Sequence, residues 1–452
     1  MTRAGRISHH GRATVLVFAP LLATACLATA PALAAHRQDG GGVADDSFVS
    51  RHFCLHTDLA APEAGALLKR MEKALGLAEQ HWGQPLRGKI ECYVIEHLER
   101  WPNSALPHPL ARIYIGGVGG ATIAEPLPSS RSHREAAGRG RKKATVYACP
   151  RIGVAEHEVI HAYCFQTFGH AGPEWYMEGM AQMMTHSCVQ DQGVWCPPES
   201  FEWLRAQPRP KIEHVVQANR MTGKIGRSLD AMLLRCQGNH THVPLSDWTD
   251  REAQLVDRAR EDYLWCWALC HLLAHNPNYS ARFRLMGSSL LGRRDRSFQQ
   301  FFGTARQELQ FEYEWFLKHM ELGYRVDLCR WEWDKRFQPL GQGAAVQRRI
   351  VAARGFQASR LWVQLGHRYR YRAEGAWSTS ATGPLTSADG APDGSGRLVG
   401  IVMKDFQVTG PFELGADGSF VAPCDGALYL RCRDAWGALA DNRGAVVVRW
   451  NR

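Results

Sequence analysis

Apolar positions recur at helical spacing across residues 61–82, where Leu67, Leu68, Met71, Leu75, Leu77 and Ala78 fall on the repeat and predict a long amphipathic helix. Short runs of alternating or β-branched character predict strands at 48–55, 89–95, 111–115 and 144–148. A second strong helical segment starts at residue 151. From 201 to 328 the pattern is mainly helical, densest over 262–275 and 298–324, where Leu, Phe, Trp and Tyr keep the period. After about residue 338 the character changes, and Gly-rich turns separate short β-type runs at 361–365, 400–403 and 445–448. The pattern predicts an α+β domain over 48–335 followed by a small all-β sandwich over 345–452. No internal repeat is present.

The first 34 residues obey a different rule. Arg3, Arg6 and Arg12 form a basic start without an acid, residues 13–30 are apolar, and Ala32-Leu33-Ala34 supplies small residues for cleavage. This is the layout of a signal peptide over 1–34, and it predicts an exported protein: periplasmic, cell-surface or secreted. The run at 13–30 is also almost long enough to remain as a membrane anchor, and Leu22 to Cys26 faintly resembles a lipoprotein site. Residues 35–47, with Gly40-Gly41-Gly42, read as a flexible leader. No later stretch is apolar enough to span a membrane.

A chain of 452 residues with 45% hydrophobic and 22% charged residues can bury two or three cores, which excludes wholesale disorder and a fibrous repeat. Loss of the signal removes three arginines and lowers the formal charge from +10 to +7. That surplus does not single out nucleic acid. The basic loop at 129–143, with Arg131, Arg134, Arg139, Arg141, Lys142 and Lys143, has no interleaved aromatic and reads as a solvated insertion. No nucleic-acid partner is expected. Thirteen cysteines become twelve without Cys26, an even number that suggests disulfides in an exported chain. Cys188 with Cys196 and Cys424 with Cys432 are the local candidates. Cys266 and Cys270, one helical turn apart, pair elsewhere or stay as buried thiols.

The stretch with chemistry is Glu156-His157-Glu158-Val159-Ile160-His161. At 3.6 residues per turn both histidines lie on one helix face and can reach one ion, with Glu158 beside the open side of the metal. Two structural histidines on a half-buried helix are the plainer alternative. No third histidine follows six residues after His161, where Thr167 stands. Further on, Pro173 can start a second helix, and Glu178 on it can point back as a ligand or out as an exposed acid.

Across 155–182 the sequence resembles the gluzincins, in particular the peptidase MA-like zinc metallopeptidases. Their H-E-x-x-H helix precedes a second helix of the form P-x-W-x-x-E-G-x-A, matched here by Pro173, Trp175, Glu178, Gly179 and Ala181. The likeness extends in layout over about 48–330. It implies a zincin-like fold (a small N-terminal sheet, an active-site helix and a helical C-terminal lobe), with His157, His161 and Glu178 as zinc ligands and Glu158 as general base. The implied activity is peptide-bond hydrolysis on a peptide or protein substrate, with zinc activating water and Glu158 carrying the proton to the leaving amine. Gluzincins usually stabilise the oxyanion with a Tyr or His from a later helix. Tyr263 is the candidate, with a core aromatic as the other reading. One strand before the active helix is expected to pair extended substrate. Gln182 departs from the family, which often carries an acid at that position.

Near the C-terminus, Asp434, Asp441 and Asn442 cluster oxygen donors in one loop between two strands, as suits either Ca²⁺ or an Asx-rich turn. Residues 345–452 look like the calcium-dependent galactose-binding lectins of the PA-IL type, through Gly375 to Trp377, the Leu428-Tyr429-Leu430 strand and the Asp434 to Asn442 spacing. The resemblance implies Ca²⁺ held by Asp434, Asp441, Asn442 and the Ala438 carbonyl, with a carbonyl from Ser378 or Thr379. The His and Gln that hold sugar in that family have no counterpart between 381 and 398. That absence counts against the family's mode of sugar binding, and the expected role of the module is to position the enzyme on a carbohydrate or a cell surface. The competing class for the whole chain is a catalytically inactive zincin-fold adhesion protein.

Overall fold

The computed structural model describes residues 14–18, 46–126, 142–189, 193–217, 222–236, 242–292, 296–341 and 346–451. Strands β1 (Thr14–Phe18), β2 (Asp46–Val49) and β3 (Phe53–Thr57) precede helix α1 (Ala61–Trp82), then β4 (Ile90–Val94), β5 (Gly120–Pro126) and β6 (Lys142–Ala148). Helices α2 (Val154–Phe168), α3 (Glu174–Ser187), α4 (Pro198–Ala206), α5 (Ile212–Val215), α6 (Thr222–Cys236), α7 (Asp250–His275), α8 (Ser280–Leu291), α9 (Phe298–Phe302) and α10 (Arg306–His319) follow. The remaining strands are β7 (Gln338–Pro339), β8 (Val346–Val351), β9 (Gln357–Val363), β10 (Arg368–Ser378), β11 (Leu398–Lys404), β12 (Gln407–Val408), β13 (Phe412–Glu413), β14 (Asp417–Val421), β15 (Gly426–Cys432) and β16 (Arg443–Asn451). The chain is mixed α+β and divides into two compact units. One holds Met1–Val189, Glu213–His271 and Arg284–Arg296; the other holds Gln190–Ile212, Leu272–Phe283 and Ser297–Arg452.

In the first unit one sheet has the order β1-β5-β6-β4-β3-β2. Strands β3, β4 and β6 are parallel, and β2, β5 and β1 run antiparallel to their neighbours. Parallel neighbours need a crossover, which α1 supplies between β3 and β4. Pro62 sits in its first turn, where a missing N–H leaves nothing unpaired, and Gly83 at φ 67° ends it. Its buried stripe is Ala64, Leu67, Leu68, Met71, Ala74, Leu75 and Ala78; of the residues that the spacing puts on the repeat, Leu77 alone is only half-buried. Helix α2 packs on β5, β6 and α1. The strand expected at 111–115 is a correction: Ile113–Val118 forms a π-helical turn. Ile113, Tyr114 and Ile115 are all buried, so the run has no wet face to impose a two-residue period.

Arg70 on α1 ties itself to Glu156 on α2, with Nε 2.5 Å from Oε1. Glu156 is 2% exposed and also accepts the Gly153 N–H at 3.0 Å. Arg70→Ala leaves that carboxylate buried without its cation. A loss of about 2 kcal/mol is expected, because Arg70 is itself partly wet. Urea unfolding followed by circular dichroism measures it.

The second unit contains two sheets facing each other. One has the order β14-β10-β16-β8; the other has β12-β11-β15-β9-β7, with β13 beside β11. Leu361, Leu398, Val402, Leu428, Leu430 and Cys432 from one sheet meet Ile350, Tyr371, Val446, Val448 and Trp450 from the other in a single core. The back of the larger sheet is covered as well: Ala358, Val399, Ile401, Met403, Ala427 and Tyr429 pack against Phe311, Trp331 and Trp315. Every residue of β15 is consequently buried, even numbers facing one core and Ala427 and Tyr429 the other.

Glu312 of α10, 3% exposed, is the polar hub of this unit. It accepts hydrogen bonds from Asn276, Asn278 at 2.8 Å, Tyr279 at 3.0 Å and Trp333 at 2.5 Å. Burial raises its pKa against the pull of those four donors. Glu312→Leu takes this acceptor from all four, the Asn278 side-chain nitrogen keeping only its bond to the Trp331 carbonyl, and is expected to cost about 3 kcal/mol, read from the thermal midpoint.

The local disulfides are corrected too. Cys196, Cys424 and Cys432 are thiols, so neither the 188–196 nor the 424–432 pair forms. Cys432 ends the extended strand β15 and Cys424 precedes its start, so a rise of about 3.3 Å per residue separates them. Cys266 and Cys270 are buried thiols. The basic loop, the leader at 35–45 and most of the signal segment lie outside the described residues. Among the described residues no helix is long and apolar enough to cross a membrane.

Candidate metal centre

Helix α2 begins after Gly153, at φ 91°, and runs under β5 with its middle fully buried. His157 and His161 stand one turn apart with ring centroids 4.7 Å from each other and Nε2 atoms 2.9 Å apart. Helix α3 brings Glu178 Oε2 to 3.0 Å from His157 Nε2 and 3.5 Å from His161 Nε2. All three side chains are 0% exposed. Zinc–donor bonds of about 2.0–2.2 Å place tetrahedral neighbours about 3.4 Å apart, so three atoms at this spacing suit one shared ion. Glu178 Oε1 and Glu158 Oε1 are buried and accept no hydrogen bond among the described residues, a cost that a cation would remove. Donor atoms of His157, Glu158 and His161 lie within 4.8 Å of one another, and this buried group could bind a metal.

Burial sets the charge states. It depresses His157 to about 4, where the neighbouring His161 also lowers it and Glu178 pulls the other way. His161 falls to about 3 from burial alone. Both rings are neutral at pH 7, the form that binds a metal. Burial raises Glu178, opposed by its bond to His157. Glu158 is pushed well above the carboxylate range by burial, against the hydrogen bond from Thr122.

Two close approaches let these elements meet. A Cβ on Gly120 of β5 would lie 2.6 Å from Val154 Cγ1 and 3.2 Å from Glu158 Cγ. One on Gly179 would lie 2.5 Å from the Cys266 carbonyl and 2.6 Å from Cys270 Sγ, so α3 crosses α7 directly beside Glu178. Tyr263, also on α7, is 4% exposed and three residues before Cys266.

Several supporting residues had no sequence signal. Thr122 donates its hydroxyl to Glu158, 2.7 Å from Oε2 and 2.9 Å from the backbone carbonyl. It sits on β5, a strand that the apolar pattern did not reveal. Gln182, the departure from the family motif, lies 2.7 Å from His186 Nε2, and its amide acts on His157 in the direction that favours the protonated ring. An amide therefore stands beside His157 where an acid was expected. His186 is 6% exposed and meets Trp267 edge-on at 5.1 Å, so it backs the site from inside. His170 braces a loop, 3.0 Å from the Leu291 carbonyl and accepting the Gly172 N–H.

In the second unit, Asp434 Oδ1 accepts the Ala435 N–H, while Asp434 Oδ2 and Asn442 Oδ1 are buried acceptors without a hydrogen bond. The Asn442 amide donates to the Ala352 carbonyl at 3.3 Å. Ala438 is half-buried and Asp441 exposed. Ser378 is buried, its hydroxyl donating to the Ser380 carbonyl.

A scan against protein-family models finds no match, and a search of curated proteins finds none. A solved structure described as "EclA N-terminal domain; PllA-like lectin" is similar at 16% identity and a TM-score of 0.20, over 24% of this chain and 94% of that one. A likeness of that size decides nothing about fold or ligand.

Proposed function

We propose that the protein is an exported zinc-dependent peptidase of the gluzincin kind, with His157, His161 and Glu178 as ligands and Glu158 as general base. The observation that carries this reading is the buried convergence of two neutral imidazoles and a carboxylate within 3.5 Å, with a second carboxylate beside them. Two His and one Glu with a position left open is a catalytic zinc donor set. When bound there, zinc would polarise the scissile carbonyl and acidify water. Glu158 is fitted to move the proton: Thr122 fixes one oxygen, the other accepts no hydrogen bond among the described residues, and burial gives the carboxyl a high proton affinity. Tyr263 on α7 is assigned to the developing oxyanion.

Strand β5, which carries Thr122, is where extended substrate would pair. Thr14–Phe18 now lies antiparallel along its outer edge. Cleavage after Ala34 would remove that strand and open the edge to a peptide backbone. In the C-terminal sandwich, Asp434 and Asn442 would hold Ca²⁺ and order the loop between β15 and β16 for contact with a surface or a carbohydrate. Digestion of unfolded casein by chain 35–452 tests the activity. Hydrolysis that stops with 1,10-phenanthroline and returns with added zinc supports the assignment; hydrolysis indifferent to the chelator, or none with zinc bound, removes it.

A further inference from the structure

A cavity of about 430 Å³ in the second unit is lined by Trp315, His319, Phe356, Arg431, Arg433 and Trp436, among others. Its lining is unusual in one respect. Along β15 the odd positions face the layer covered by α10, and after Ala427 and Tyr429 the third of them is Arg431, a cation where the pattern calls for an apolar side chain. Arg431 is 4% exposed. Its guanidinium carbon lies over Trp436, 3.8 Å from the ring centroid, with the Phe356 centroid at 5.7 Å. Nε donates to the Cys432 carbonyl at 2.9 Å, and one terminal nitrogen to the Asp434 carbonyl. Carbonyls satisfy donors but do not cancel charge. Among the described residues no carboxylate lies within ion-pair distance of Arg431, and Asp434 is the acid that acts on it from further off. The other acid of the lining, Glu413, is held by Arg397 and Arg433 at 2.6 Å each. Lys318 adds positive charge, while burial depresses His319 to about 4 and keeps it neutral.

A buried guanidinium of this kind costs several kcal/mol of hydration that only an anion returns in full. Its planar fork matches a carboxylate, and the aromatic walls match a ring face. We infer that this cavity binds a small ring compound bearing a carboxylate, with the carboxylate on Arg431 and the ring against Trp436 and Phe356. Neither the zinc reading nor calcium binding is needed for this.

The test is calorimetric titration of the mature chain in EGTA, so that a calcium-held sugar does not score. The probes are D-galacturonate and benzoate, with galactose and benzamide as their neutral counterparts. Binding of at least one acid with a Kd of about 1 mM or tighter, and at least tenfold preferred over its neutral counterpart, is expected. Failure of both acids, or equal binding of the neutral compounds, overturns the inference. Which acid wins tells a hydroxylated ring from an aromatic one. Arg431→Gln should lose binding at least tenfold, and unchanged binding by the folded variant overturns the assignment to Arg431. Gly410→Trp, a rim position whose Cβ would touch nothing within 4 Å, leaves Arg431 in place, should block entry, and keeps the test decisive if Arg431→Gln does not fold.

Discussion

Glu158→Gln is expected to lower peptide hydrolysis by about 10³-fold while leaving the bound metal in place. The amide has the shape of the carboxylate, and its oxygen can still accept from Thr122, so the packing around Val154 and Gly120 is retained. What it lacks is the ability to take a proton and return it. Glu158 is the residue for this task because its Oε2 is held by Thr122 rather than by the histidines, which leaves the carboxyl beside them instead of between them, with an Oε1 that accepts no hydrogen bond among the described residues. The check is a steady-state assay on a quenched-fluorescence peptide beside metal analysis of the same preparation. A variant within tenfold of the parent would assign the proton transfer to another group.

Glu178→Ala attacks the metal itself. Removing a charged ligand from a site with two neutral ones should weaken zinc at least about 100-fold, since even supporting residues are worth 10–100-fold. Zinc titration with a competing chelator measures it, and activity should fall with occupancy. Gln182→Ala gives the internal comparison. It removes an amide that stands beside His157 and pairs with His186, but no donor atom, so a loss of about tenfold is expected. Equal losses from both would mean that Glu178 supports the site without touching the metal.

These expectations rest on features that differ in how openly the sequence displays them. Spacing places His157 and His161 on one face, because one α-helical turn admits no other outcome, and Pro173 fixes where the next helix can begin. The buried stripe of α1 and the β-runs of the C-terminal sandwich follow from periodicity in the same way. Strand β5 does not. Its first five residues, Gly120 to Ala124, are buried on both faces, so it shows no alternation, and Thr122 gives no local sign that it will meet a carboxylate 36 positions later. Gln182 misleads for a related reason: in a motif comparison its amide is a missing acid, yet a hydrogen bond to an imidazole needs only a correctly placed dipole. Residues 111–115 have the composition of a strand, but burial of the whole run frees it to coil. The cysteine count suggests bridges, while pairing depends on distances that β15 makes too long. Arg431 reads as an ordinary charge until its neighbours on β15 reveal that it occupies a core position.

The most direct measurement is the metal content of the purified mature chain by inductively coupled plasma mass spectrometry, without added metal and after exchange into metal-free buffer. One zinc per protein is expected in the parent, and none in a His157→Ala/His161→Ala double variant whose circular dichroism matches the parent. A parent chain that carries no zinc and takes up none when it is supplied, or a double variant that keeps it, contradicts a metal held by His157, His161 and Glu178.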